Sequence, residues 1–201
     1  NNVKIQNATI TCKTEVNKVI EVLGDNVTLN NLVFNAPEGE NFAGSIYFNS
    51  PNNDSEQNIG IVTLKNLLLN NGRITFTGAK KGTVNMEDIR IYYNEVSIAT
   101  NVIANYKLQD YPPFGAVANK PDLTLSGGES VDVYLKSSEN SYKLDAATVA
   151  NMPVGATLNL VNEGEYALTS QLVIDKPLFL KGELDKNGNP ATIITATGDW
   201  S

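Results

Sequence analysis

One eight-residue pattern occurs four times in this chain, and it limits the possible fold more than any other feature. It reads valine, any residue, apolar, any residue, asparagine or aspartate, apolar, any residue, apolar. The copies are VKIQNATI from Val3 to Ile10, VTLNNLVF from Val27 to Phe34, VTLKNLLL from Val62 to Leu69, and VNMEDIRI from Val84 to Ile91. They start 24, 35 and 22 residues apart. The longest interval holds the polar stretch SPNNDSEQN at positions 50–58, which reads as a surface loop added to one period.

Within each copy, apolar residues alternate up to the Asn or Asp and resume after it with shifted phase. Alternation is the period of a half-buried strand. Asn and Asp tolerate the left-handed conformation, so each marks a corner between two strands. Further short strands are expected at 19–22, 45–48 and 73–76, punctuated by Gly24-Asp25, Asn70-Asn71-Gly72 and Lys81-Gly82. A period this short cannot bury its own apolar face, but stacked periods can. Stacking predicts inward columns Ile5, Leu29, Leu64, Met86 and Ile10, Phe34, Leu69, Ile91, and a corner ladder of Asn7, Asn31, Asn66 and Asp88. Stacked Asn amides can bond one another and the nearby backbone. Ordinary turn chemistry in a β-sandwich is the alternative reading.

On these residues the chain resembles the right-handed parallel β-helices of the pectin-lyase-like superfamily. The resemblance covers about residues 1–104 and returns at Gly164-Glu165-Tyr166 and in the run LVIDKPLFLKG from Leu172 to Gly182. That second stretch is similar to the opening coils of such helices, including those in surface proteins of Bacteroides-type bacteria. The fold expected is therefore all-β, a right-handed parallel β-helix with a short capping helix and a hairpin. Residues 1–112 form the coils, with irregular, Tyr- and Pro-rich sequence from 105 to 121. Residues 113–143 hold a linker and a hairpin, LTLS and VDVYL around Gly127-Gly128. Residues 144–201 hold a helix, DAATVANM at 145–152 stopped by Pro153, and the opening coils of a second unit. A single irregular solenoid with an insertion is the alternative.

Composition removes several chemistries. The chain has no histidine, which excludes Ser-His-Asp and Cys-His catalysis and His-ligated zinc. One cysteine, Cys12, allows neither an internal disulfide nor a cysteine cluster. The net charge of −7 lacks the basic footprint of a nucleic-acid binder. No apolar run approaches a membrane span. The start at Asn1 without a methionine, and a strand-like TIIT at 192–195 close to the last residue, fit a piece of a longer chain. An acidic, Asn/Thr-rich, nearly Cys-free sequence fits a secreted or cell-surface bacterial protein.

The superfamily resemblance implies polysaccharide lyases and hydrolases as relatives. The hydrolases of that fold use Asp clusters and a histidine motif that this chain lacks. The lyases use an Arg or Lys base, with carboxylates holding calcium. Here Arg90, two residues from Asp88, is the weak candidate pair, among Glu87, Arg73, Lys80, Lys81 and Glu95. Glu21 with Asp25 and Glu163 with Glu165 are pairs in sequence, though alternation and turns scatter them. Tyr92, Tyr93, Tyr106 and Tyr111 are candidates for stacking on sugar rings, with packing under the linker as the plain alternative. Gly127-Gly128 and Gly182 lack the context of a phosphate loop, and Trp200 is given no site. The function expected is a non-catalytic structural or glycan-binding module, with polysaccharides or surface glycans as partners. A polysaccharide lyase and a protein-binding adhesin using the loop at 50–58 are the alternatives. No metal or cofactor is expected, and calcium enters only with the lyase.

Overall fold

The computed structural model describes residues 2–13, 20–23, 25–35, 46–48, 58–70, 74–76, 81–93, 122–135, 144, 149, 152–161, 165–168 and 171–196. Thirteen strands lie among them: β1 (Val3–Thr11), β2 (Ile20–Val22), β3 (Val27–Asn35), β4 (Ile46–Phe48), β5 (Asn58–Asn70), β6 (Ile74–Phe76), β7 (Lys81–Tyr93), β8 (Asp122–Ser126), β9 (Val131–Leu135), β10 (Thr157–Leu160), β11 (Glu165–Leu168), β12 (Phe179–Lys181) and β13 (Ile193–Ala196). The main sheet runs β1-β3-β5-β7-β9-β10-β12, with β8 also on β7. A second sheet is β2-β4-β6 and a third is β11-β13. Every ladder between these strands is parallel. The molecule is a parallel β-helix, in which each strand pairs with its equivalent one coil away.

The register is the one the repeat dictates. Ile5 pairs with Leu29, Leu29 with Leu64, and Leu64 with Met86. Ile10, Phe34, Leu69, Ile91 and Val133 form the other column. Leu29, Leu64, Phe34, Leu69 and Ile91 are buried, so the columns form the core. In β3 both Leu29 and Leu32 are buried, although residues three apart lie on opposite faces of a straight strand. Asn31 between them resolves this, because its φ of 54° turns the chain and resets the phase. Asn7, Asn66 and Asp88 do the same at φ 59°, 51° and 50°. The corner thus explains why the pattern needs a small polar residue at its fifth position.

Two expectations change. The segments at 123–126 and 131–135 do not form a hairpin: β8 and β9 both run parallel to β7, pairing with its first and second halves. They are two arms of one coil, joined by a left-handed Gly127 (φ 79°) and a 3-10 turn at Gly128–Ser130. Ser130 Oγ donates to the Gly127 carbonyl at 2.8 Å and the Met86 carbonyl at 3.1 Å, tying this corner to the coil before it. The strands from the later run also join the main sheet, since β10 pairs with β9 and β12 with β10. The coils on either side of the expected linker therefore stack on one another. Of the helix expected at 145–152, only Val149, helical and buried, and Met152, which donates its N–H to the Val149 carbonyl at 3.2 Å, are described.

Candidate functional site

The main sheet places its even and odd positions on opposite sides, so the outward residues of successive coils also form columns. Beyond the corner, one such column runs Asn35, Asn70, Tyr92, Tyr134, Asn159, Lys181, exposed or half-buried at every member except the buried Asn159. Its neighbour runs Leu68, Arg90, Asp132, Thr157, Phe179. Neighbouring members of a column stand about 4.8 Å apart, the spacing of paired strands. The result is a strip of amides, phenols and charged groups along the axis.

Its members bond one another. Asn70 Nδ2 donates to Asn35 Oδ1 at 2.7 Å. Tyr92 stacks on Tyr134 with ring centroids 4.3 Å apart and planes within 4°. Asn159, a buried polar residue, donates its Nδ2 to Asp132 Oδ1 at 3.2 Å and the Val133 carbonyl at 3.4 Å. Arg90 Nε lies 3.4 Å from Asp88 Oδ1. Partial burial, then the Asp132 carboxylate and Tyr92, hold the Tyr134 hydroxyl above its usual pKa, while Arg90 pulls it the other way.

The candidate pair Asp88 and Arg90 is thus brought into contact, at an exposed corner where both side chains remain about half accessible. Tyr92 is exposed, but Tyr134 covers one face of its ring and Asn70 is its neighbour on the other side of the column, so the ring edge and the hydroxyl are what a sugar would meet. Tyr93 lies at the end of β7, opposite Leu135, and its side chain is outside the described part. Tyr106, Tyr111, Arg73, Lys80, Glu95 and Glu163 are outside the described residues, as is the loop at 50–57. Glu87 is engaged by Lys65 Nζ at 2.6 Å. Glu165 is an exposed residue of β11.

The corner residues bond less uniformly than a continuous ladder. Asn31 Nδ2 donates to Asn7 Oδ1 at 2.8 Å, but Asn66 Nδ2 reaches Asn30 Oδ1 at 3.3 Å instead of Asn31. A further corner precedes the strands. Asn26 (φ 54°) accepts from the Ile61 N–H at 3.0 Å, and Gly60 (φ 62°) sits where a Cβ would meet Asn26 Oδ1 at 2.4 Å. Sequence reasoning missed Tyr134, Asp132 and Asn159, because 42 residues separate Tyr92 from Tyr134 and no repeat of the pattern marks the later coil. The Asn35–Asn70 pair was detectable, since both residues follow the last apolar position of their copies.

Among the described residues no group of three metal-binding side chains converges, and no helix is long and apolar enough to cross a membrane. No family model, curated protein or solved structure matches the chain.

Proposed function

We propose that the chain is a non-catalytic structural or glycan-binding module of a larger secreted or cell-surface bacterial protein, built on a pectin-lyase-like coil. The observation that carries this reading is the outward strip Asn35, Asn70, Tyr92, Tyr134. It offers one amide or phenol per coil, and the neighbouring Arg90 lies against Asp88. A linear, uncharged polysaccharide lying along the axis would meet a repeating set of donors and acceptors. The flatness of a sheet suits a chain better than a compact ligand. A glycan array followed by calorimetry tests it. Tyr92→Ala and Tyr134→Ala are each expected to weaken binding about tenfold, the loss of roughly one good contact. Unchanged affinity in both would remove the strip as the binding face.

The contact between Arg90 and Asp88 is the observation that favours the second reading, β-elimination of an acidic polysaccharide. Calcium-dependent appearance of an unsaturated product, absent in Arg90→Ala, would support it. No product across a panel of acidic polysaccharides would count against it.

A further inference from the structure

Two phenol rings from coils far apart in sequence lie face to face on the main sheet. Tyr92, near the end of β7, pairs in register with Tyr134 of β9. Register partners on parallel strands direct their side chains to the same side of the sheet, so both rings stand on one side. Their centroids are 4.3 Å apart and their planes differ by 4°. The facing carbons are therefore close to van der Waals contact, about 3.5–4.0 Å. After burial and the Asp132 carboxylate, the causes that raise the Tyr134 hydroxyl pKa include a side-chain hydrogen bond with Tyr92. A bond between the hydroxyls puts both oxygens at one end of the stack, so the carbons ortho to them face one another as well. Tyr92 is 37% exposed, which leaves its hydroxyl edge open to an oxidant in solution.

Face-to-face contact is the approach by which two phenoxyl radicals couple. The unpaired electron of such a radical is shared between the oxygen and the ortho and para carbons of the ring. The para carbon of a tyrosine already carries the side chain, which leaves the ortho carbons. One-electron oxidation of each phenol removes an electron and the hydroxyl proton. The radicals then join ortho carbon to ortho carbon through orbitals perpendicular to the ring planes. Each of those carbons gives up its hydrogen as a proton, each oxygen regains one, and the rings rotate apart into a biphenol. The pair has then lost two hydrogen atoms. Hydrogen peroxide, used by a haem peroxidase, takes up the two electrons and two protons and leaves as two waters. The new bond would tie β7 to β9 across 42 residues of sequence. Cys12 is the only cysteine, so a disulfide within the chain could not do the same.

We infer that Tyr92 and Tyr134 form an oxidative cross-linking site, coupling to dityrosine in the presence of a peroxidase and hydrogen peroxide. The inference stands on the stacked pair and does not require the strip to bind a glycan. The test treats a dilute solution of the whole chain with haem peroxidase and hydrogen peroxide, and follows dityrosine fluorescence, mass and gel mobility. The expected product is a monomer lighter by two hydrogen atoms, in which peptide mapping finds Tyr92 joined to Tyr134. Tyr92→Phe and Tyr134→Phe keep a ring but lack the hydroxyl that oxidation needs. Each is expected to lose that product while keeping the far-ultraviolet spectrum of the unaltered chain. In urea the product is expected to disappear as well, with coupling scattered among the other tyrosines. A chain that forms no Tyr92–Tyr134 bond under conditions that couple free tyrosine would overturn the inference. So would a monomeric product that persists in either Phe variant, or a Tyr92–Tyr134 bond that forms equally in the unfolded chain.

Discussion

The coils of the molecule turn their corners in two ways. In β1, β3, β5 and β7 a single Asn or Asp in the left-handed conformation makes the bend. In the coil of β8 and β9 the bend needs one more residue: Asn85 to Ile89 span four positions, and their partners Ser126 to Val131 span five. Glycine supplies the left-handed residue there, at Gly127, and again at Gly155 (φ 84°), whose N–H donates to the Pro177 carbonyl at 2.8 Å. An Asn corner leaves a side chain that can bond the next coil, as Asn31 bonds Asn7. A glycine corner leaves none, but it lets backbones approach more closely. The same geometric problem is therefore solved once with side-chain chemistry and once with the absence of a side chain.

The largest effect should come from breaking the glycine corner. A Cβ at Gly127 would lie 1.9 Å from the Met86 carbonyl oxygen, and the positive φ adds strain. Gly127→Ala is expected to cost roughly 3 kcal/mol or more in urea unfolding, the sum of overpacking and a left-handed alanine. Next comes the shared core. Leu64→Ala removes a fully buried side chain from the middle of its column and should cost about 2–5 kcal/mol by the same measurement. The Asn corner should prove softer than the glycine corner. Asn31→Ala is expected to cost about 1–2 kcal/mol, for the left-handed conformation and the lost bond to Asn7. Asn31→Gly should cost less than Asn31→Ala, and the reverse order would show that the left-handed bend does not set the cost.

Smaller still is a pH effect in the last turn. Backbone and side-chain bonds from Asn189, together with those from Asn187, hold the Asp185 carboxyl below its usual value. Its folded pKa is depressed, so whatever it contributes is present above the unfolded pKa and is lost as pH falls through the folded one. Amide exchange at Asn187 and Asn189, both 2.8 Å donors to Asp185 Oδ1, should quicken in acid relative to Asp185→Asn. Equal acid sensitivity in both would remove the carboxylate as the cause.

The two corner types also explain which coils could be read from the sequence. Asn31, Asn66 and Asp88 occupy one position in a repeated pattern, and an apolar phase shift flags each of them. The stacking of Leu29 on Leu64 follows from that alignment despite the 35-residue interval. The β8–β9 coil defeats the same reasoning for a physical reason. Alternation has period two whatever the direction of the neighbouring strand, and two glycines between alternating runs suit a hairpin as well as a corner. Parallel pairing to β7 becomes visible only with coordinates. The pairing of Tyr92 with Tyr134 was hidden by the same irregular coil, so the sequence pointed to Tyr92 without its partner. Asp88 and Arg90 were legible as neighbours, but their contact, across a left-handed corner at Asp88, is visible only with coordinates.

The central claim, parallel stacking in the register of the repeat, is tested most directly by cysteine cross-linking in a Cys12→Ser background. Val33 and Leu68 are outward partners on adjacent coils, about 4.8 Å apart along the stack. Val33 and Arg90 belong to the same column two coils apart, about 9.6 Å, beyond disulfide reach. Mild oxidation of the Val33→Cys, Leu68→Cys protein should yield an intramolecular disulfide, and the Val33→Cys, Arg90→Cys protein should yield none. Closure of the second pair without the first would contradict the stacked coils.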